Sequence, residues 1–267
     1  MKYGFIFLCL GSIQAQEDLG PLVPERPGFT ASSGVVGLGV LQLEQGYTFE
    51  TARMHGWHFK TLSAPQMLVH FGFSDDFELR FGTNGYSWQE LRLAETLGSA
   101  RGLSDYIVSG KLRLMRQGAR QPEVSVMAGI SFPARGSDFT TSGIDPLLSF
   151  ALSKDLPRGF SVTTNLNVAA ITDDSGRLLS TAKSVSISHR VKGSASAFGE
   201  LFRTTIGRTE GSQTAVSAGM YWLLGKHVQV DIAGGHTVAG LRPAWFATAG
   251  FVIRDPHRLL HHVSPRE

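Results

Sequence analysis

The stretch that decides the fold is Leu41-Gln42-Leu43-Glu44-Gln45-Gly46-Tyr47-Thr48-Phe49-Glu50. Its positions 41, 43, 47 and 49 carry large apolar side chains, and the even-numbered positions between them carry polar or small ones. Successive side chains of a β-strand point to opposite faces, so this period of two predicts a strand with one apolar face and one polar face.

The same alternation recurs along the chain as far as Arg254 and predicts about twelve strands. The predicted strands cover residues 41–50, 66–73, 77–82, 106–114, 123–132, 148–153, 160–168, 184–190, 195–206, 215–224, 228–233 and 245–254. Two of them are ambiguous. The stretch 195–206 places Glu200 on the face of Phe198 and Phe202, and the stretch 215–224 is apolar on both faces.

The connections between these strands alternate in predicted length. The longer ones are residues 51–65, 87–104, 133–143, 172–177, 207–213 and 236–243. The shorter ones are residues 74–76, 117–121, 155–158, 191–193 and 225–226. Short periplasmic turns alternating with longer outer loops are typical of an outer-membrane barrel.

The composition of the polar face separates a membrane barrel from a soluble one. A soluble barrel turns its apolar face inward, whereas a membrane barrel turns it toward lipid. Here the polar face is mostly Ser, Thr, Asn, Gln and Gly with isolated charges, and charged residues make up only 18% of the chain. We therefore predict an all-β protein, an antiparallel up-and-down transmembrane β-barrel of about twelve strands. The alternative is a secreted or periplasmic all-β protein.

Aromatic residues would form two belts at the membrane interfaces, as a spanning barrel requires. The outer ends of the predicted strands carry Tyr47, Phe49, Tyr86, Trp88, Tyr106, Phe132 and Trp245. The periplasmic ends carry Phe71, Phe73, Phe77, Phe160 and Trp222.

The two ends of the chain differ from the barrel, which we predict to span residues 35–254. Residues 1–15 are typical of a signal peptide, because Lys2 precedes a short apolar run and Ala15 ends it. Residues 16–34 predict an extended N-terminal segment that either plugs the lumen or lies in the periplasm. Residues 255–267 form a basic C-terminal tail, which we expect to be solvated. Cys9 is the only cysteine, so the chain after the signal peptide has neither a disulfide nor a thiol ligand.

Charged residues on inward positions are the candidate functional residues. They are Glu44, Glu78, Arg80, Lys111, Arg113, Glu200, Asp231 and Arg254. A charge inside a narrow barrel must be paired or hydrated. The set therefore either lines a pore and sets its selectivity, or forms salt bridges that fill the lumen.

No sequence motif indicates an enzyme, and we expect no catalytic, cofactor-binding or metal-binding residues. The one arrangement that suggests a lipid-modifying hydrolase is His189 beside Ser186 and Ser188. A barrel with a blocked lumen and a structural or binding role is a further alternative. The formal net charge is +3 with no block of Lys and Arg, so a nucleic-acid partner is not expected.

Several short motifs resemble one family when they are taken in order along the chain. They are Glu25-Arg26-Pro27-Gly28-Phe29-Thr30, the stretch Leu41 to Tyr47, Phe73-Ser74-Asp75-Asp76-Phe77-Glu78-Leu79-Arg80, Ile144-Asp145-Pro146, Ala197-Phe198-Gly199-Glu200-Leu201-Phe202, Val228-Gln229-Val230-Asp231 and Pro243-Ala244-Trp245-Phe246. They resemble the bacterial outer-membrane transporter family of the meta-pathway of phenol degradation, over nearly the whole chain after the signal peptide.

This resemblance implies a barrel in the bacterial outer membrane that passes small molecules passively, aromatic or apolar ones among them. It implies outer-membrane lipids, a small-molecule solute and the barrel-assembly machinery as partners. One feature departs from the family. Members tend to end on an aromatic residue that closes the last strand, whereas this chain continues through Arg254 and Asp255 to Glu267.

Overall fold

The computed structural model describes residues 19–207 and 211–260. The predicted signal peptide and residues 261–267 of the predicted tail lie outside the described residues. The described strands are β1 (Leu41–Met54), β2 (Trp57–Gly72), β3 (Phe77–Thr83), β4 (Tyr86–Leu93), β5 (Thr96–Leu103), β6 (Tyr106–Met115), β7 (Glu123–Phe132), β8 (Asp145–Leu156), β9 (Phe160–Asp173), β10 (Gly176–Lys192), β11 (Ala195–Ile206), β12 (Ser212–Leu223), β13 (Val228–Ala239) and β14 (Ala244–Arg254). No helix in the described ranges is long and apolar enough to cross a membrane.

The strands close into a barrel, because β1 pairs antiparallel with β14 on one side and with β2 on the other. β3 and β4 pair with successive halves of β2 and together form one interrupted strand. β5 and β6 form a second interrupted strand, since β5 pairs with β4 and β6 pairs with β3. The result is a closed antiparallel barrel of twelve strands, which confirms the predicted fold.

The barrel has two distinct ends. At the terminal end, β1 begins and β14 ends. The opposite, distal end carries the turns at residues 55–56, 94–95 and 174–175.

The predicted long loops are wrong at three of the distal connections. Residues 51–65 and 87–104 are almost entirely strand, and so are most of residues 172–177. The reason lies in the outward side chains of these extensions, such as Lys60 opposite Glu90. Beyond the apolar belt both faces of a strand are polar, so the period of two disappears from the sequence although the strand continues.

One distal connection is a long loop that folds inward. Residues 133–144 lie between β7 and β8. Within them, the Ser137 hydroxyl donates to the Leu103 carbonyl over 2.6 Å, and the Asp138 carboxylate accepts the Arg101 N–H over 2.9 Å. A Cβ atom on Gly102 would lie 2.0 Å from the Ser137 Oγ, so only glycine admits this contact. The loop thereby covers the edge of β5 that has no strand partner.

The two faces of the wall have opposite characters. Phe81, Leu201 and Ile232 are about half exposed on the outside. The bulkiest fully buried side chains are instead Lys111 and His70, which point into the lumen. A polar interior inside an apolar outer surface is the pattern of a barrel surrounded by lipid.

Residues 19–40 lie inside the barrel, and we call this segment the plug. It contains no helix or strand, and Leu19, Val36 and Val40 form a small apolar cluster within it. The N-terminal segment was predicted to lie either in the lumen or in the periplasm. The structure places its described residues in the lumen. The wall makes room for the plug at glycines: a Cβ atom on Gly72 would lie 1.8 Å from the Gly37 carbonyl oxygen. The barrel therefore starts at Leu41 rather than at residue 35.

The first residues of the predicted tail pack against the plug. The Arg258 guanidinium donates to the Leu38 carbonyl and the Leu259 N–H donates to the Gly39 carbonyl, each over 2.7 Å. A Cβ atom on Gly39 would overlap the Leu260 backbone. Residues 255–260 are thus anchored to backbone carbonyls of the plug, while residues 256, 257, 259 and 260 stay exposed.

Candidate functional site

The candidate site is the lumen, where the wall meets the plug. The structure places all eight predicted inward charges on the inner face, and each of them contacts the plug. The contacts fall into three groups: a cluster around Glu25, carboxylates that accept plug N–H groups, and cations that bind plug carbonyls. The sequence offered two interpretations of these charges, a pore lining or salt bridges that fill the lumen. Neither of them included contacts with the plug.

The first group surrounds the carboxylate of Glu25, which the plug carries into the barrel. Glu25 pairs with Arg80, and its Oε1 accepts from the Lys111 Nζ over 3.0 Å. Burial raises the pKa of Glu25, but the positive charges of Arg80, Lys111 and His70 outweigh burial and hold the pKa at about 2. Glu25 is therefore ionised at neutral and mildly acidic pH, and it joins the plug to two strands.

His70 lies beside this cluster and was not among the predicted residues. Its Nε2 is 3.0 Å from the Glu44 Oε1, and its Nδ1 is 3.2 Å from the Glu78 Oε1. The imidazole is fully buried and cross-links β1, β2 and β3 through the two carboxylates. The signal for it was present, because position 70 falls on the polar face of the strand predicted over residues 66–73.

The second group consists of wall carboxylates that accept N–H groups from the plug backbone. Glu44 accepts from the N–H of Glu25 over 2.9 Å, and Glu78 accepts from that of Val36 over 2.6 Å. Glu200 accepts from two successive plug residues, Phe29 over 2.7 Å and Thr30 over 2.9 Å. A buried segment without secondary structure must satisfy its backbone groups elsewhere, and these carboxylates do so.

The third group joins cations to acceptors across the same boundary. The Arg254 Nη1 donates to the carbonyls of residues 19, 20 and 21 over 3.3, 3.1 and 3.0 Å. The Arg113 Nη2 donates to the Val35 carbonyl over 3.2 Å. In the opposite sense, Arg26 of the plug pairs with Asp231 of the wall over 3.3 Å. The plug is thus fixed at its beginning, middle and end.

Two cavities flank the plug. The one on its distal side has a volume of about 480 Å³, and its floor includes Arg26 and Phe29. The rings of Phe29 and Phe202 are stacked there, with centroids 4.3 Å apart. The one on its terminal side has a volume of about 320 Å³ and is lined by Pro21, Ser33 and Glu123, among others. The two cavities share no lining residue and plug residues line both, so the plug lies between them.

The structure does not bring together the residues suggested for a hydrolase, His189 with Ser186 and Ser188. The His189 ring stacks on Phe160 with centroids 4.2 Å apart, while the Ser188 Oγ lies 2.7 Å from the Ser161 Oγ on the inner face. Serine and histidine therefore point to opposite sides of the wall. Within the described residues, no group of three or more His, Cys, Asp or Glu side chains could hold a metal ion.

The sequence of the barrel matches one protein family. The model of the family described as "Putative MetA-pathway of phenol degradation" matches residues 25–254. The chain belongs to this family. The match begins inside the plug and ends at the last residue of β14, so the plug is part of what the family model covers. Among curated proteins, none matches the chain.

Solved structures share the barrel. The COG4313 outer membrane channel from Pseudomonas putida F1 matches with a TM-score of 0.67 and 13% identity, over 86% of this chain and 99% of that one. The beta domain of the Bordetella autotransporter Brka matches with a TM-score of 0.56 and 12% identity, over 80% and 99%. The NanC porin matches with a TM-score of 0.50 and 10% identity, over 78% and 98%. The likeness establishes the fold.

Proposed function

We propose that this protein is an outer-membrane channel for passive passage of small molecules and that the plug holds it closed. The observation that carries the proposal is a polar lumen divided by a segment of the same chain. Among the described contacts, the plug is held by hydrogen bonds, ion pairs and the stacking of Phe29 on Phe202, and none of these is covalent, so it is able to move without covalent chemistry. We propose no enzymatic activity, no cofactor and no nucleic-acid partner.

The lining of the distal cavity favours small solutes that carry an aromatic ring. Its volume of about 480 Å³ lies in the range that small-molecule sites occupy. Phe29, Phe202 and Phe246 supply aromatic surface, and Arg26 and Gln66 supply polar groups. Such a lining accommodates a ring that bears a hydroxyl or carboxyl group, which agrees with the family description.

The orientation follows from where an outer-membrane barrel keeps its termini. We place the terminal end in the periplasm and the distal end outside the bacterial cell, with outer-membrane lipids around the belt. The distal cavity then receives solute from outside. The barrel-assembly machinery is the proposed partner for insertion of the twelve strands.

Conductance across a planar bilayer tests the proposal. The parent protein should give small or rare current steps, and the Glu200→Gln variant should give larger or more frequent ones, because the amides of Phe29 and Thr30 lose a charged acceptor. The Glu90→Gln variant removes an exposed carboxylate from the outside of β4 and is the matched control. Silence from the parent and from both variants would instead establish a barrel with a blocked lumen.

Solute uptake tests the proposed selectivity separately. After subtraction of the rate for protein-free liposomes, liposomes that contain the Glu200→Gln variant should swell faster in isotonic benzoate at neutral pH than in an isotonic sugar of similar mass. Equal swelling rates would contradict an aromatic preference and leave a general small-solute channel.

A further inference from the structure

Two cations stand side by side on the outer face of the barrel. Lys183 of β10 and Arg203 of β11 are directly opposed partners in the antiparallel ladder. Both are exposed, and each is two positions from an apolar residue that faces lipid, Val185 on β10 and Leu201 on β11. The pair therefore projects from the lipid-facing surface and not into the lumen.

Depth along the strands places the pair near the outer interface. Arg203 is close to the distal end of β11, which is at Ile206, and β10 continues beyond Lys183 as far as Gly176 at its distal end. A cation on the lipid face is tolerated near the interface and is strongly unfavourable at the middle of the bilayer. The threonines at 181 and 205, which are opposed partners themselves, come next toward the distal end.

Like charges at directly opposed positions of two strands repel each other. In the part of the chain that the structure describes, no carboxylate pairs with either cation, and the partner of Arg203 is the Ser212 hydroxyl at 3.0 Å. Another cation of the distal surface, Lys60, lies opposite an acid, Glu90. An anion bound between Lys183 and Arg203 would attract both cations and thereby offset the repulsion between them.

We propose that Lys183 and Arg203 bind the phosphate of a phosphorylated glycolipid in the outer leaflet of the outer membrane. A guanidinium and an ammonium are the two side chains best suited to phosphate, and the nearby hydroxyls add donors. The acyl chains of the lipid would then run along Val185 and Leu201 toward the periplasm. This site rests on the proposed orientation, with the distal end outside the cell, but it stands whether or not the lumen conducts.

Lipid binding to the protein extracted from outer membranes in detergent tests this site. Native mass spectrometry with bisphosphorylated lipid A should show that the double variant Lys183→Gln, Arg203→Gln binds at least about tenfold more weakly than the parent. The double variant Lys60→Gln, Arg92→Gln also removes two positive charges, from exposed positions near the distal ends of β2 and β4. It should bind lipid A like the parent. Heat-dependent gel migration shows that both variants are folded barrels.

Two further lipids separate the possible sources of the interaction. Dephosphorylated lipid A should bind the parent and the Lys183, Arg203 variant equally weakly. The proposal is overturned if the two double variants weaken lipid A binding alike, or if lipid A without phosphate binds as tightly. Phosphatidylglycerol that binds as tightly as lipid A, with the same loss in the variant, would overturn the assignment to a glycolipid.

Discussion

At the scale of single residues, close approach between plug and wall explains why particular glycines stand in the strands. A Cβ atom on Gly72 would meet the backbone oxygen of Gly37 at 1.8 Å, whereas one on Gly46 would meet the movable end of the Arg26 side chain. We predict that Gly72→Ala loosens the plug and Gly46→Ala does so much less. Amide hydrogen exchange over residues 19–40 measures the difference.

The control for this prediction is Gly199→Ala. A Cβ atom there has ordinary contacts, the nearest at 3.9 Å. Exchange in the plug should therefore match the parent. Equal exchange in the Gly72 and Gly199 variants would show that the close approach at Gly72 does not constrain the plug.

Glu25 provides the second prediction at this scale. The Glu25→Gln variant leaves Lys111 buried without its carboxylate partner and leaves Arg80 with Glu78 alone, which should weaken plug seating by about 3 kcal/mol and accelerate exchange of the plug amides. Moderately acidic pH should not weaken plug seating as this variant does, because Glu25 stays ionised there. A carboxyl whose folded pKa is depressed stabilises the folded state above its unfolded pKa, near 4.5, and this stabilisation is lost as pH falls toward the folded value, about 2.

The pH dependence is checked by measuring plug exchange between pH 7 and pH 5, corrected for the intrinsic rate. Glu25 should contribute no loosening over that interval. If acidification within it loosens the parent and leaves the Glu25→Gln variant unchanged, Glu25 titrates far above the stated pKa.

At the scale of elements, alternation of apolar and polar residues was sufficient to predict the membrane-embedded part of each strand. It was insufficient to predict where the strands continue beyond the membrane. The stretch 41–50 predicts β1 because its two faces differ, whereas the extension of β1 and β2 across residues 51–65 has polar residues on both faces. Alternation is ambiguous around Glu200, which shares its face with Phe198 and Phe202, and the structure places this face inward. Alternation does not predict the acceptor role of Glu200, because Phe29 lies 171 residues away in sequence.

The tail is the element whose role the structure changes most. Residues 255–260 hold the end of the plug through Arg258 and Leu259. We predict that truncation after Asp255 accelerates exchange at residues 36–40 and increases the open probability of the channel. Truncation after Leu260 retains both contacts and is the matched control. A similar effect of the two truncations would assign the result to something other than these contacts.

At the scale of the whole molecule, the proposed channel should conduct only if the plug leaves the wall, and a reversible cross-link tests that requirement. The Ser33 N–H lies 3.4 Å from the Ser153 Oγ, so these two positions are neighbours across the boundary between plug and wall. Cys9 is the only native cysteine and lies in the predicted signal peptide, so the introduced pair would be the only thiols in the processed chain. In the Glu200→Gln background, oxidation of Ser33→Cys, Ser153→Cys should suppress the current, and a reductant should restore it. Either single-cysteine variant should respond to neither reagent. Full current through the oxidised double variant would mean that solutes pass beside a seated plug, because an anchored segment still occupies the space between the two cavities.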